Sequence, residues 1–355
     1  MRTLMKGNNA VSEAAIRAGC RFFSGYPITP QSEIVEYLSW RLDEVGGSFV
    51  QSESELSGIS MVYGAAACGL RVLSSSSGPG YDLIQEGLGY IASAELPALI
   101  VDVSRYGSGL GEIVPGQSDY WTVVKNGAHG DYHCLVFAPA SIQEAVDLVP
   151  FAYEKAEKYR NPAVLLYDGA IGQMMEPVEL PELSEHDPNQ FDWSIKGKAG
   201  EKQVSHTSRC YFDFQDPQEY AEHVRNKYAE IEKNEQKWES YMTEDAEIIF
   251  CAYGIMSRTC KDAINAARKQ GIKVGMIRPI TLYPYPVKAF ETLPEGLKGF
   301  VSVEMSALGQ MVEDVRLAVN GRVPVYNYAT GKAIPDNEEF ISYMKNILEG
   351  KEASV

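Results

Sequence analysis

The sequence predicts an α/β protein built from two doubly wound parallel-sheet domains. Short apolar runs alternate with amphipathic helical stretches over residues 1–174 and again over 245–355. Between them, residues 175–244 change texture. Pro177, Pro181 and Pro188 stand among many charges and mark an exposed connector that ends in a long polar helix, roughly 217–242. A chain of 355 residues is long enough to give each domain its own core.

Composition narrows the function. The chain is 45% hydrophobic and 23% charged, with no apolar run near the ~18 residues a membrane span requires. Its 48 Asp and Glu against 32 Lys and Arg give a net charge of −16. Such a surface repels nucleic acid and anionic lipid, so a small anionic substrate needs a local positive site. No basic or Ser-rich leader opens the sequence, which predicts a mature protein starting near Met1. The six cysteines (Cys20, Cys68, Cys134, Cys210, Cys251 and Cys260) are scattered and read as reduced core thiols of a cytoplasmic protein. None forms a C-x-x-C pair for zinc or an iron–sulfur cluster.

A first helix is predicted over 8–18 and a strand over 20–24, followed by Gly25-Tyr26-Pro27-Ile28-Thr29-Pro30. The next helix carries Ile34, Leu38 and Trp40; Thr29 suits its N-cap and Pro30 its first position. The functional alternative is that a hydroxyl at a strand–helix junction touches an anionic substrate.

Residues 51–80 are the centre of the chain. Glu53 and Glu55 precede Leu56, Gly58, Ile59, Met61, Val62, Ala65, Ala66 and Ala67, whose helical spacing predicts a helix buried on most of its circumference. Gly64, among alanines, lets another backbone pack close. Arg71 to Leu73 then lead as a strand into four serines and a tight loop, Gly78-Pro79-Gly80. As ordinary first-turn acids, Glu53 and Glu55 each gain about 0.3–1 kcal/mol from the helix dipole. A buried, unpartnered carboxylate there would instead cost several kcal/mol and raise its own pKa.

A helix over 82–93 and a strand over 96–103 follow, ending at Ser104-Arg105-Tyr106-Gly107. Arg105 lies beyond a strand's carboxyl end, where open α/β sheets bind ligands. It either pairs Glu112 or Asp119 at the surface, worth about 0–1 kcal/mol, or forks a substrate carboxylate for about 1.5–3 kcal/mol. The glycines at 107, 109 and 111 mimic a dinucleotide fingerprint, but Glu112 occupies the place of the last glycine, so this is a flexible loop rather than a nicotinamide site. A strand over 134–137, a helix over 141–158 and a strand over 163–167 close the domain. His129 and His133 flank a glycine in a loop and make no metal pair.

The second domain restarts with a strand over 246–251, a helix over 257–269 and a strand over 273–277. Residues 278–286, RPITLYPYP, lead to a strand over 300–304, a helix ending near 318, an apolar run over 323–326 and a last helix over 337–348. There is no internal repeat.

The spacing from Glu55 to Gly64 and Ala65 resembles the pyrimidine-binding domain of thiamine diphosphate enzymes. With Y-P-I-T-P (26–30), Q-S-E-S-E-L (51–56), S-G-P-G (77–80), D-V-S-R (102–105), R-P-I-T-L-Y-P (278–284) and V-E-M-x-x-L-G-Q-M-V-E-D (303–314), nearly the whole chain is similar to alpha-type subunits of 2-oxoacid:ferredoxin oxidoreductases. The branched-chain (2-oxoisovalerate) member is the nearer likeness, with the 2-oxoglutarate member next. The resemblance implies a pyrimidine-binding fold for 1–174 and a transketolase C-terminal-like fold for 245–355. It implies that Glu55, rather than Glu53, bonds N1′ of the cofactor's aminopyrimidine and favours the imino tautomer that removes the C2 proton. Thr29 would bond the substrate and Arg105 its carboxylate, with Tyr26, Pro27, Ile28, Ser77 and Gly78 around the cofactor.

The family's diphosphate–Mg²⁺ half carries G-D-G and a later Asn; only Gly130-Asp131-Tyr132 and Tyr167-Asp168-Gly169 come near it here. The resemblance therefore implies half an active site with no metal of its own. A beta-type subunit would carry Mg²⁺–thiamine diphosphate and a gamma- or delta-type subunit the [4Fe–4S] clusters. Coenzyme A would be a co-substrate and ferredoxin the electron acceptor, and the single chain would be inactive. A non-catalytic assembly subunit is the competing class. A nucleotide- or acyl-binding protein is a third, though no P-loop is present.

Overall fold

The computed structural model describes residues 2–197, 204–206, 214 and 216–355. The first part comprises β1 (Thr3–Lys6), α1 (Gly7–Arg17), β2 (Cys20–Gly25), α2 (Ser32–Glu44), β3 (Ser48–Gln51), α3 (Glu55–Ala67), β4 (Arg71–Ser76) and α4 (Pro79–Ser93). It continues through β5 (Leu99–Tyr106), β6 (Glu112–Pro115), α5 (Tyr120–Val124), β7 (Leu135–Phe137), α6 (Ile142–Tyr159), β8 (Ala163–Asp168), α7 (Gly169–Gln173) and β9 (Met175–Val178). Then come α8 (Pro217–Asn234), β10 (Trp238–Tyr241), β11 (Ile248–Cys251), α9 (Gly254–Lys269), β12 (Val274–Pro279), β13 (Thr281–Tyr283), β14 (Gly299–Glu304), α10 (Val312–Val319), β15 (Val325–Ala329) and α11 (Asn337–Leu348).

The first sheet runs β13-β7-β8-β5-β4-β2-β3, with β6 paired to β5; its six strands from β7 to β3 are parallel. The central strand β5 is buried almost throughout, as a parallel strand covered on both faces must be. The second sheet runs β10-β12-β11-β14-β15, parallel except for the antiparallel edge strand β10. Its two faces divide by strand alternation. Ile249 and Cys251 of β11 belong to the core continuous with the first sheet, while Ile248 and Phe250 pack with α9 and α11.

Several expectations change. The helix after β2 begins at Ser32, so Thr29 is not its N-cap; Gln31 N–H bonds the Ile28 carbonyl and closes a turn that delays the helix. Gly78-Pro79-Gly80 is no loop: α4 starts at Pro79, directly after Gly78 at φ +50°. Helix α3 leaves a side open, with Leu56, Ser60, Met61, Gly64 and Cys68 exposed. Gly64 faces open space; the close approach falls to Gly58, where a Cβ would sit 2.9 Å from Ser52 Oγ. The glycines at 107–111 form the turn of the β5–β6 hairpin.

The 175–244 segment is more integrated than a connector. It begins as β9, antiparallel to β1, and Ile195 N–H bonds the Ala67 carbonyl at the end of α3. The polar helix ends at Asn234, not near 242, because residues 238–241 join the second sheet as β10. The 278–284 motif also spans both sheets: Arg278 and Pro279 end β12, whereas Thr281 to Tyr283 pair antiparallel with β7 of the first sheet. Cys20, Cys134, Cys251 and Cys260 are buried free thiols, but Cys68 is exposed. Cys210 lies outside the described residues. Among the described residues, no helix is long and apolar enough to cross a membrane.

Candidate functional site

Strands β5, β4, β2 and β3 are neighbours, and their carboxyl ends form one edge. Every candidate residue stands on that edge: Tyr26 to Thr29 after β2, Glu55 after β3, Ser77 and Gly78 after β4, and Arg105 near the end of β5. This is where an open α/β sheet binds ligands.

Glu55 is the first residue of α3, behind the Ser54 cap, whose hydroxyl accepts the Ser57 N–H at 3.4 Å. It is only 7% exposed, and its carboxyl meets no hydrogen-bond partner among the described residues. A methyl group on Gly80 would lie 2.5 Å from Glu55 Oε1 and 2.4 Å from Ser76 Oγ, so only glycine lets the carboxyl rest there. Glu53 is exposed, and its own backbone N–H, helped by Ser57, holds its carboxyl below the usual range.

Arg105 is buried, and its Nη1 donates to the Thr29 carbonyl oxygen at 3.0 Å. Its Nε and Nη2 have no hydrogen-bond partner among the described residues. The surface pairs weighed for it do not form: Glu112 takes Lys332 at 2.9 Å, and Asp119 accepts the Gly78 N–H at 3.3 Å. Gly78 packs against the guanidinium, where a Cβ would stand 2.9 Å from Nε. Thr29 and Tyr26 are exposed at the mouth, while Pro27 and Ile28 are half-buried.

Sequence reasoning missed Gln31, which is fully buried. It accepts the Ser75 hydroxyl at 2.7 Å and donates to the Tyr26 carbonyl at 2.9 Å, fixing the loop after β2. It also missed the buried acids. Asp102 had a visible signal, an acid inside an otherwise apolar strand; burial, then the nearby Asp119, raises its carboxyl well above the usual range. Burial pushes Asp119 and Asp168 up to about 6 and Glu304 up to about 7. His133 stacks on Tyr283 at 4.1 Å instead of meeting His129, and no cluster of three potential metal ligands occurs among the described residues. A cavity of about 1510 Å³ opens between α4, residues 127–132 and α8, and none of Thr29, Glu55 or Arg105 lines it.

Residues 13–243 match the family described as pyruvate flavodoxin/ferredoxin oxidoreductase, thiamine diphosphate-binding, and residues 246–336 match pyruvate:ferredoxin oxidoreductase core domain II. Ketoisovalerate oxidoreductase subunit VorB of Methanothermobacter marburgensis is 49% identical, over 93% of this chain and 94% of that one. 2-Oxoglutarate synthase subunit KorA of Methanocaldococcus jannaschii is 37% identical, over 88% and 90%. The solved 2-oxoglutarate:ferredoxin oxidoreductase from Magnetococcus marinus superposes with a TM-score of 0.82 at 24% identity, covering 98% of this chain and 65% of that one, a likeness of fold.

Proposed function

The chain belongs to the pyruvate flavodoxin/ferredoxin oxidoreductase family, and from that premise we propose that it is the alpha-type subunit of a complex that oxidatively decarboxylates 2-oxoisovalerate to an acyl-CoA and CO₂, with ferredoxin as acceptor. One observation carries the reading. Glu55 and Arg105 stand on the same sheet edge, both buried, with Nε and Nη2 of Arg105 left without a partner among the described residues.

These residues fit the aminopyrimidine half of thiamine diphosphate. A desolvated carboxyl without a partner, cradled by Gly80, suits a ring nitrogen that must share a proton. When bound, the cofactor supplies the nucleophilic carbon and the electron sink for loss of CO₂. Glu55 holds and moves the proton at N1′. Pro27, Ile28, Ser77 and Gly78 frame the ring, with Tyr26 at the entrance. The free Nε and Nη2 of Arg105 take the substrate carboxylate, and the Thr29 side chain bonds the substrate beside it. Nothing in this set suits a magnesium diphosphate. That half of the cofactor is assigned to a beta-type partner, and the [4Fe–4S] clusters to a gamma- or delta-type subunit. Buried free thiols suit a reducing, cytoplasmic setting.

The branched-chain substrate rests on the 49% identical relative. The 37% identical relative supports 2-oxoglutarate as a second reading. A non-catalytic assembly role is disfavoured because it would not require an open carboxyl and an open guanidinium on one edge. The test is to assemble the chain with its partner subunits, supply thiamine diphosphate, coenzyme A and a panel of 2-oxoacids, and follow acyl-CoA and viologen reduction. The expected result is highest kcat/KM for 2-oxoisovalerate and none for the single chain. Equal turnover by the single chain, or a preference for an unbranched acid, overturns the assignment.

A further inference from the structure

The 303–314 motif, V-E-M-x-x-L-G-Q-M-V-E-D, lies in the second domain, and the mechanism above uses none of it. Two of its side chains converge on one stretch of the first domain, residues 117–121. Gln310 bonds that stretch twice: its Oε1 accepts the Trp121 N–H at 2.7 Å, and its Nε2 donates to the Ser118 carbonyl at 2.8 Å. Asp314 accepts the Tyr120 hydroxyl at 2.7 Å. Glu304 holds the backbone of Gln310 by accepting its N–H at 2.9 Å. Gln117, only 1% exposed, answers from the first domain. Its backbone N–H donates to the Met305 carbonyl at 2.7 Å, its Oε1 accepts the Met305 N–H at 2.9 Å, and its Nε2 donates to the Tyr253 carbonyl at 3.0 Å.

The same stretch turns other side chains back toward the site. Ser118 Oγ accepts the Gly107 N–H at 3.0 Å, and Asp119 accepts the Gly78 N–H at 3.3 Å. Gly107 lies two residues beyond Arg105, and Gly78 packs against the Arg105 guanidinium. The second domain therefore grips the stretch that grips both neighbours of Arg105. We propose that Gln310 and Gln117 are positioning residues for the substrate site: they fix residues 117–121 between the domains, which sets Gly78 and Gly107 and through them aims Arg105 at the substrate carboxylate. This rests on Arg105 being the carboxylate fork.

The bonding pattern goes beyond holding the domains together. Adhesion is also supplied by Arg278 of β12, whose Nη1 and Nη2 donate to Glu144 of α6 at 2.9 and 2.8 Å, away from residues 117–121. Gln310 and Gln117 instead spend both the oxygen and the nitrogen of each side-chain amide on backbone groups at the seam. The Trp121 N–H lies in the first turn of α5, where a helix offers no partner of its own. Truncating Gln310 leaves that N–H and the Ser118 carbonyl to find new partners, which the stretch does by shifting. Any shift is passed to Gly107 through Ser118 and to Gly78 through Asp119.

The test uses the assembled complex. Gln310→Ala should raise the oxoacid KM about tenfold, the worth of one charge-assisted bond, and leave the KM of coenzyme A unchanged. Gln310→Glu keeps an acceptor for the Trp121 N–H but loses the donor to Ser118. It should give a smaller rise, and it carries the test if the alanine variant does not assemble. Added to Arg105→Ala, Gln310→Ala should raise the oxoacid KM no further, because a residue acting through Arg105 then has nothing left to aim. Deuterium exchange should quicken at the Gly78 and Gly107 amides in Gln310→Ala. Arg278→Ala is the control, expected to lower the thermal midpoint without moving the oxoacid KM. Additive effects with Arg105→Ala, an equal KM rise in Arg278→Ala, or unaltered exchange at both glycines overturns the positioning role. If Arg105→Ala leaves the oxoacid KM unchanged while exchange quickens at the two glycines, the fork reading fails and the grip of the second domain on them stands.

Discussion

Arg105 reaches past the end of β4 to hold Thr29: its Nη1 donates to the Thr29 carbonyl oxygen at 3.0 Å, with Gly78 packed against the same guanidinium. One side chain thus ties together the ends of three neighbouring strands. Arg105→Ala should lower kcat/KM for the oxoacid by one to two orders of magnitude, the loss of roughly 1.5–3 kcal/mol. Arg105→Lys should recover little, because an ammonium cannot hold Thr29 and fork a carboxylate together. Steady-state kinetics across the two variants decide this, and unchanged values remove Arg105 from the site.

Glu55→Gln keeps the shape of the side chain but cannot exchange a proton with a ring nitrogen. Turnover should fall about 10²–10⁴-fold, and thiamine C2–H exchange, read by quenched-flow NMR in the assembled complex, should slow with it. Normal exchange would refute the role.

Gly80→Ala offers a second route to the same defect. Its methyl group would stand 2.5 Å from Glu55 Oε1, so the carboxyl must move. The variant should show slowed C2–H exchange while its thermal transition stays close to wild type. Gly64→Ala, with open space around it, is the control and should gain up to about 1 kcal/mol in helix stability.

Glu304 governs a pH dependence. Its carboxyl accepts the Gln310 and Met311 N–H groups at 2.9 and 2.6 Å, and burial pushes it up to about 7. A carboxyl whose folded pKa lies above its unfolded one binds more protons in the native state. Stability from this group therefore falls as pH rises from about 4.5 to about 7. Glu304→Gln removes that slope. By calorimetry, the Tm of the variant minus that of the wild type should be higher at pH 7.5 than at pH 5; a flat difference contradicts the assignment.

Asp314 joins α10 to α5. It accepts the Tyr120 hydroxyl at 2.7 Å and pairs with Lys125 at 2.5 Å. Asp314→Ala leaves the buried Tyr120 hydroxyl unpaired and should cost about 1–3 kcal/mol, visible as a lower thermal midpoint. No change would mean that solvent replaces the contact.

Much of this architecture was legible in the sequence, for identifiable reasons. Strands such as 134–137 and 163–167 announce themselves by apolar runs bounded by turn residues, and both lie within a residue of their observed limits. Glu55 stood out because small residues at helical spacing follow it, and the structure places it under cover while Glu53 faces solvent. What escaped depends on partners distant in sequence. Gln31 acts through Ser75, and Asp119 through Gly78. The N-cap expectation for Thr29 failed because local propensity does not register the turn that Ile28 and Gln31 close. The polar helix was drawn too long because nothing local to Trp238–Tyr241 announces its pairing with β12.

The exchange of β13 bears on how the polypeptide is made. Residues 281–283 are synthesised after three strands of the second sheet, yet they cover the outer edge of β7. A nascent chain that has emerged only to residue 245 would present that rim bare, an invitation to cross-chain strand pairing. Dissecting the gene at the boundary between its two family segments should therefore yield an upstream fragment that precipitates, and co-expression of the downstream fragment should rescue it.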